Sequence, residues 1–393
     1  MNIKNKIKNR LIIFWQFNIQ AVLVRVLNAI LPRTSINAIV IESHDDFDGN
    51  GGAFYDYLVK NRYNEKHKIV LFLHHRLDRE IPNGVVAYQM YRPSILRAYY
   101  SCRAKFLFAD NNAHKKMMKE QISVYMTHGP VPFKNTNGII VLPQSTDFCL
   151  SPSSFYDEYQ KRAFTIHSPH TVMLHLGFPC LDDLFNDTES ALNKIVNKNY
   201  KKSVIWMPTF RVGGRKKRSD VDYNIKLGIP LITNINQYNQ LNDYLAGLNM
   251  LLVIKLHPKQ DLSSLKVSSR TNIVVLTNKD MKEKNISNYK LYKDMDAMIS
   301  DYSTSSFDFM NLDRPICYDF SDFEHYKLGL IMDNPDDFMP GEKIYDYGGL
   351  IDFLNKVDRG IDLYSAKRME LINRLFEHHD GNSCKRIAEY FNI

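Results

Sequence analysis

Residues 296–320 constrain the fold of this 393-residue chain more than any other stretch. A short apolar run, Ala297–Ile299, stops at a turn rich in hydroxyls and carboxylates, and an amphipathic stretch and a second apolar run follow. This pattern predicts a strand, a polar turn, a helix and another strand. Ser303, Thr304 and Ser305 fall where the helix would begin, and free backbone N–H groups and the helix dipole favour an anion there. A residue that only caps the helix gives the same pattern, so the turn alone leaves both interpretations open.

Strand and helix patterns alternate through the rest of the chain. A Lys- and Asn-rich stretch, Asn193–Lys202, interrupts the series as a linker, and an amphipathic helical segment is predicted over 362–392. Because the chain is too long for one ordinary core, the pattern predicts an α/β protein with two doubly wound, parallel-sheet domains facing a cleft, 34–195 and 196–393. The predicted strands are Ile36–Ile41, Ile69–Leu73, Phe106–Ala109, Ile122–Met126, Ile139–Leu142, Ser203–Met207, Met250–Leu256, Asn272–Leu276, Ala297–Ile299 and Pro315–Tyr318.

Residues 1–33 form a separate segment. The net charge of the chain is +8, yet residues 1–41 contain six basic residues and no acidic one. The uncharged run that follows the basic head, Leu11–Val24, is shorter than the roughly 20 residues of a spanning helix, and no signal-peptide cleavage site follows it. The pattern favours an amphipathic helix that lies on an anionic membrane with Trp15 and Phe17 inserted. A helix packed on the protein's own core is the alternative.

The charge distribution also bears on partners and location. Outside the N-terminal segment the positive excess is small, which argues against a general nucleic-acid surface. We therefore expect a peripheral protein at the cytoplasmic face of the plasma membrane. The five cysteines are scattered and odd in number, which indicates a reducing compartment.

Polar elements follow four of the predicted strands. They are Thr127–Pro130, Pro208–Arg211, Lys255–Pro258 and Asp301–Ser303. Because ligands of such sheets bind beyond the carboxyl ends of the strands, these elements are expected to face one cleft. Their histidines, arginine, lysine and hydroxyls predict an anionic, diphosphate-like ligand. No spacing indicates a tightly bound metal, and no glycine-rich dinucleotide fingerprint or P-loop occurs, so no tightly bound cofactor is expected. A requirement for a divalent cation stays open.

In this order, the four elements resemble those of the CDP-glycerol glycerophosphotransferase family, enzymes that build teichoic acids and related polymers. The family's His-Gly-Thr-Pro-Leu-Lys, Pro-Thr-Phe-Arg, Lys-Leu-His-Pro and Ser-Asp-Tyr-Ser-Ser…Phe-Asp-Phe elements correspond here to His128–Lys134, Pro208–Arg211, Lys255–Pro258 and Ser300–Phe309. There are two departures. The first element has an extra residue before its proline, and Cys180 stands where the family commonly has arginine. Both lie in the half expected to bind the acceptor, so the identity of the acceptor stays open.

The resemblance implies the GT-B architecture and a reaction. Glycerol phosphate would pass from CDP-glycerol to a hydroxyl of a lipid-linked or polymeric acceptor, with release of CMP. His128 would be the base that activates that hydroxyl, and His257 a second catalytic histidine on the diphosphate. The residues expected on the donor are Arg211, Lys255, Asp301, Ser303, Thr304 and Ser305, and those on the acceptor side are His44, Asp48, Asn50 and Lys134.

Two other interpretations remain open. A GT-B transferase that uses CDP-ribitol or a nucleotide sugar for a surface polysaccharide would need the same residue types. A non-enzymatic membrane- or polyanion-binding protein would use the basic N-terminus and the basic loop Arg215–Arg218, but it leaves the ordered strand-end motifs unexplained. In a transferase, that loop would be either an ordinary solvated loop or a mobile lid over the polyanionic substrate.

Overall fold

Two parallel α/β sheets form the body of the molecule. A computed structural model of the protein describes residues 3–186, 189–211, 226–326 and 329–393, with side chains from residue 14 onward. The strands of the first sheet are β1 (Ile36–Glu42), β2 (Lys68–Leu73), β3 (Val85–Gln89), β4 (Ala104–Ala109), β5 (Ile122–Tyr125), β6 (Phe148–Leu150) and β7 (Val172–Leu174). Those of the second are β8 (Lys202–Trp206), β9 (Met250–Lys255), β10 (Ile273–Leu276), β11 (Ala297–Ser300), β12 (Ile316–Asp319) and β13 (Glu342–Ile344). The prediction of an α/β fold with two parallel sheets is confirmed.

The strand order places a binding edge in each sheet. The first sheet runs β3-β2-β1-β4-β5-β6-β7 and the second runs β10-β9-β8-β11-β12-β13, with neighbouring strands parallel. In both sheets the chain order reverses beside the first strand, between β1 and β4 and between β8 and β11. Ligands of open α/β sheets bind at the carboxyl ends of the strands at such a reversal.

The central strands are buried on both faces, as parallel sheets generally are. In β1, Ile39 and Ile41 belong to one hydrophobic cluster and Ala38 and Val40, on the opposite face, to another, and each of the four has at most 2% of its surface exposed. Strands covered by helices on both faces consist of nearly continuous apolar residues, as these do.

The helices cover these faces and connect the strands. Among the described residues they are α1 (Ile3–Ile30), α2 (Gly49–Lys60), α3 (Ile95–Arg103), α4 (Asp157–Ala163), α5 (Asp182–Phe185), α6 (Ile235–Gly247), α7 (Asn278–Glu283), α8 (Asn288–Lys293), α9 (Ser305–Met310), α10 (Tyr347–Arg359), α11 (Ser365–Leu375) and α12 (Ser383–Tyr390). Side-chain caps fix several of their starts. Asp48 accepts from the backbone of Gly49 at α2, and Thr277 forms a capping box with Asp280 at α7.

Some short elements differ from the sequence prediction. Ile139–Leu142 is not a strand, because its residues follow a turn at Gly138 and leave Ile139 and Val141 exposed. The strands β3, β6, β7 and β13 were not predicted, since they are only three to five residues long and partly exposed. Three of them, β3, β7 and β13, are edge strands.

The C-terminal segment packs on the first sheet, although the sequence pattern groups it with the second domain. Phe391 lies beside the rings of Phe108 and Phe148, with centroid distances of 5.6 and 5.3 Å. Asp182 accepts hydrogen bonds of 2.9 Å from the backbone N–H groups of Ser383 and Cys384, at the start of α12. The chain therefore crosses back to the first sheet. The predicted helical segment over 362–392 consists of the two helices α11 and α12.

Helix α1 lies along α3. Gln20 accepts from the backbone of Ser94 at 2.8 Å, and the ring of Phe17 meets Tyr91 edge-on at 5.8 Å. Arg103 donates to the Pro32 carbonyl oxygen at 2.6 Å, which fixes the chain after the helix. Among the helices described, none has both the length and the apolar character needed to cross a bilayer.

Candidate active site

The carboxyl edges of the two sheets meet at a junction. Asp45, in the loop after β1, pairs with Lys282 of α7 at 2.9 Å. The ring of Phe133, after β5, lies 5.0 Å from that of Phe307 in α9. Lys134 forms an antiparallel bridge with Leu330. The loops that carry the predicted site residues are therefore held against one another by contacts between the two halves.

The loop that carries His128 is held in an unusual conformation. Thr127 has φ of 63°, in the left-handed region that β-branched residues rarely adopt. The Asn50 amide donates to the carbonyl oxygens of Met126 and Thr127, both at 3.0 Å, and its oxygen accepts from the backbone of Cys180 at 3.1 Å. Asn50 is completely buried. It therefore positions the histidine loop and does not reach an acceptor, contrary to the sequence prediction.

His128 lies at the junction with its side chain exposed. Its ring packs against that of His44, with the two ring centroids 4.1 Å apart. Desolvation lowers the pKa of His128 to about 4, and His44 and Lys259 act in the same direction. The ring is therefore neutral at pH 7 and has a free nitrogen lone pair to accept a proton.

The loop after β1 and the first turn of α2 wrap around the buried carboxyl group of Asp110. Asp110, directly after β4, accepts from the backbone N–H groups of His44 at 2.7 Å and Gly51 at 2.8 Å. Burial raises the pKa of Asp110 to about 8. A Cβ on Gly51 would lie 2.2 Å from the Ser43 hydroxyl oxygen, so only glycine fits there. Because Asp110 occupies these two amides, they cannot cradle a phosphate. Asp48, by contrast, is exposed.

Arg211, predicted to lie on the donor diphosphate, is instead buried between carboxylates. It donates to Asp322 at 2.7 and 2.9 Å and to Asp301 at 2.5 Å, and 1% of its side chain is exposed. Asp301 also accepts from the backbone and the hydroxyl of Thr209, both at 2.7 Å. Neither Arg211 nor Asp301 faces a ligand in this arrangement. Together with Asp322 they tie the ends of β8, β11 and β12.

His257 is held in one tautomer. Its Nδ1 accepts from the backbone N–H of Lys259 at 3.1 Å, so in the neutral ring the proton is on Nε2. Burial lowers the pKa of His257 to about 2, and Lys134, Lys255 and Lys259 add to this effect. Phe210 packs against the ring at a centroid distance of 4.9 Å. His257 is therefore a neutral N–H donor rather than a base.

Lys255 is buried beside His257. Its ammonium donates to the side-chain oxygen of Asn278, and burial lowers its pKa to about 8, with Asp48 and Asp45 acting in the opposite direction. An amine with this pKa remains mostly protonated at pH 7. With Lys134 and Lys259 it makes the surroundings of His257 positive.

The three hydroxyl residues in the turn after β11, Ser303, Thr304 and Ser305, differ in burial. Ser303 and Thr304 are half-buried, and Ser305 is buried, with its hydroxyl donating to that of Ser303 at 3.0 Å. Thr304 makes no side-chain cap on α9. Its hydroxyl oxygen lies 3.8 Å from the position of a Cβ on Gly129, the residue after His128. The Thr304 hydroxyl therefore lies close to the loop that carries His128, in the other half of the site.

Cys180, which stands where the resembling family commonly has arginine, lies in a buried cluster. Its surroundings include Asp308 and Tyr289, and burial raises the pKa of the Asp308 carboxyl well above its usual range. One oxygen of Asp308 has no hydrogen-bond partner. We infer that this carboxyl is protonated and supports the packing of α9.

Three residues of the site, Lys259, Asp110 and Asp322, are absent from the sequence prediction. Lys259 directly follows the Lys-Leu-His-Pro element, so its position in the chain could have indicated its place in the site. Asp110 and Asp322 follow β4 and β12, two strands after which the sequence prediction places no polar element. The basic loop Arg215–Arg218 lies outside the described residues. In the described part of the chain, no group of three or more His, Cys, Asp or Glu side chains is arranged to hold a metal ion.

We expect Asn50→Ala to lower the free energy of unfolding by about 2–4 kcal/mol, because two buried carbonyl oxygens and one N–H lose their partner. Urea unfolding measures this change. Asn61→Ala removes an exposed amide that donates to Tyr57 at the end of the same helix, and it should cost less than about 1 kcal/mol. Equal stabilities of the two variants would contradict the positioning role of Asn50.

Comparison with known proteins is consistent with this geometry. The sequence profile of one family, CDP-glycerol:poly(glycerophosphate) glycerophosphotransferase, matches residues 24–392. The chain is 27% identical to the teichoic acid glycerol-phosphate primase of Bacillus subtilis (strain 168) over 224 residues, which are 56% of this chain and 50% of that protein. It is 24% identical to the teichoic acid poly(glycerol phosphate) polymerase of Bacillus spizizenii over 348 residues, 79% of this chain and 80% of that protein. The match thus spans about half the length of the Bacillus subtilis primase.

A solved structure shares the fold. The wall teichoic acid polymerase TagF superimposes with a TM-score of 0.71 over 100% of this chain and 98% of that chain, at 18% sequence identity. At this identity the likeness concerns the architecture alone.

Proposed function

Because this chain belongs to the CDP-glycerol:poly(glycerophosphate) glycerophosphotransferase family, we propose that it transfers glycerol phosphate from CDP-glycerol to a hydroxyl of a membrane-linked or polymeric acceptor, releasing CMP. The product would be a teichoic acid or a related cell-surface polymer. The observation that carries this proposal is that the junction holds two neutral histidines: His128 is exposed and able to accept a proton, and His257 is fixed as a hydrogen-bond donor.

In the proposed reaction, the acceptor hydroxyl oxygen attacks the phosphorus that carries glycerol. His128 takes the hydroxyl proton as the new O–P bond forms. The bond from that phosphorus to the oxygen it shares with the cytidine-bearing phosphate breaks, and CMP leaves. A general base must be unprotonated at the working pH, and the lowered pKa of His128 meets this condition. The same lowering makes the ring a weaker base, since basicity falls with the pKa.

The donor diphosphate would lie near His257. The Nε2–H group of His257 donates a hydrogen bond to a phosphate oxygen. Lys255, Lys259 and Lys134 balance the negative charge that moves toward CMP. The hydroxyl of Thr304 and that of Ser303 are further donors. The sequence predicted that Arg211 and Asp301 contact the donor. We do not include them among the ligand contacts, because the two side chains are buried and paired with each other.

The donor is tested by measuring CMP release with a panel of nucleotides. CDP-glycerol with a glycerol-phosphate oligomer or lipid-linked acceptor should give CMP, whereas CDP-ribitol and UDP-sugars should not. Turnover with CDP-ribitol or a UDP-sugar in place of CDP-glycerol would support the alternative transferase, and no turnover with any donor would support a non-enzymatic protein.

His128→Ala should lower kcat by about 10²–10⁴-fold, the usual contribution of a general base. CMP release at saturating CDP-glycerol measures the change. The matched control is His170→Ala, which removes an exposed histidine outside the junction and should leave kcat unchanged. Near-normal turnover of His128→Ala would remove this residue from the base role.

We further infer that the outer face of α1 rests on an anionic membrane, so that the protein is peripheral to the cytoplasmic face of the plasma membrane. Apolar side chains recur on this face at helical spacing, and each is roughly half exposed or more: Trp15, Ile19, Val22, Val26 and Ile30. Ile95 and Leu96, at the start of α3, extend the exposed apolar surface. The basic head of the chain precedes this face, and Lys and Arg beside inserted aromatics favour anionic headgroups.

Replacing Trp15, Ile19 and Val22 together by glutamate should abolish binding to vesicles that contain phosphatidylglycerol, as measured by co-sedimentation. Leu363→Glu adds a charge at an apolar residue that is 75% exposed and far along the chain, and should leave binding intact. Unchanged binding of the triple variant would reject the membrane role of α1.

A further inference from the structure

A second histidine ring contacts the proposed base. The rings of His44 and His128 have centroids 4.1 Å apart and planes inclined by 44°. The two residues follow β1 and β5, which are separated in the sheet by β4. The contact therefore joins two loops that meet only in the folded protein.

Each loop is fixed independently of the ring contact. The backbone N–H of His44 is bound by buried Asp110 at 2.7 Å. The carbonyl oxygen of Thr127, the residue before His128, is bound by buried Asn50 at 3.0 Å. Because separate buried anchors hold both backbones, the rings have little freedom to move apart.

We propose that His44 is a positioning residue for His128: its ring packs against the His128 ring, holds it toward the acceptor and stabilises the imidazolium formed when the acceptor gives up its proton. This inference rests on the proposed function, since it assigns a partner to the proposed base. It goes beyond that function because the His44 ring contacts His128 rather than the substrate.

The chemistry favours a neutral ring as the partner. An aromatic face attracts a cation that lies within about 6 Å of its centroid. His128 carries its positive charge only after the hydroxyl proton has transferred, so this attraction strengthens on the way to the transition state. The proton stays on His128 until solvent removes it, and no bond to His44 forms or breaks.

The surroundings limit the pair to one proton. Burial lowers the pKa of His44, and Lys259 adds to this effect, while Asp45 and Glu42 oppose it. Two charged rings at this distance would repel each other, so protonation of one opposes protonation of the other. The ionisable side chains around the two rings are Glu42 and Asp45 from β1 and its loop, His74 after β2, and His257 and Lys259 after β9.

The test compares His44→Phe with His44→Ala in the full-length protein. Phe keeps an aromatic face, so kcat should stay within about threefold of wild type, whereas Ala removes the face and should lower kcat by about tenfold. KM for CDP-glycerol should change less than twofold in both. Because Phe keeps the aromatic face but cannot become positive, the acid limb of kcat/KM should move to higher pH in His44→Phe. His170→Phe is the control for a histidine replaced elsewhere.

Three results would overturn the proposal. They are wild-type kcat in His44→Ala, equal loss of kcat in both variants, or a rise in KM for the acceptor alone, which would make His44 an acceptor contact.

A second readout does not depend on turnover. Titration of the His128 ring by NMR should give a higher pKa in His44→Phe than in wild type, and an unchanged value would also overturn the proposal. If the wild-type protein released no CMP with any donor, the proposed function would fail, whereas this titration would still decide whether the two rings interact.

Discussion

The buried pairing of Arg211 with Asp301 and Asp322 is the interaction on which the second half of the site depends. It joins the ends of three strands at 2.5–2.9 Å in a region closed to solvent. Removing one partner of such a group leaves an uncompensated buried charge, which is far more costly than loss of a surface ion pair. The hydroxyl turn that follows Asp301 therefore begins from a fixed point. In the first half of the site, buried Asn50 has the corresponding role, because its hydrogen bonds fix the turn before His128.

These two anchors change how the polar motifs are understood. Asn50, Arg211 and Asp301, which the sequence assigned to ligand binding, hold the loops instead. The groups that we propose to meet a ligand, such as His128 and Ser303, lie on the loops that are held in this way. His128 lies one residue beyond a carbonyl bound by Asn50, and Ser303 lies two residues beyond Asp301. Buried, fully hydrogen-bonded groups determine where the exposed groups stand, as preorganised sites require.

Much of this arrangement was accessible from sequence. Long apolar runs such as Met250–Lys255 identified the central strands, because burial on both faces requires nearly continuous apolar residues. The strand-end motifs predicted that the carboxyl edges of the two sheets face each other, and contacts such as Asp45–Lys282 and Phe133–Phe307 join those edges. The short edge strands were not accessible, since three residues such as Val172–Leu174 carry no periodicity. The burial of Arg211 was not accessible either, because its carboxylate partners lie 90 and 111 residues away. Nor did the pattern of 362–392 reveal a return to the first sheet, which depends on Asp182.

The proposed reaction requires that both junction histidines are neutral at pH 7, His128 free to accept a proton and His257 fixed as a donor. Nitrogen-15 NMR of the histidine side chains can test this, because the nitrogen shifts distinguish the charged ring and the two neutral tautomers. We expect neutral rings for His128 and His257 at pH 7, with the His257 proton on Nε2. A charged His128, or a proton on Nδ1 of His257, would contradict the proposed reaction.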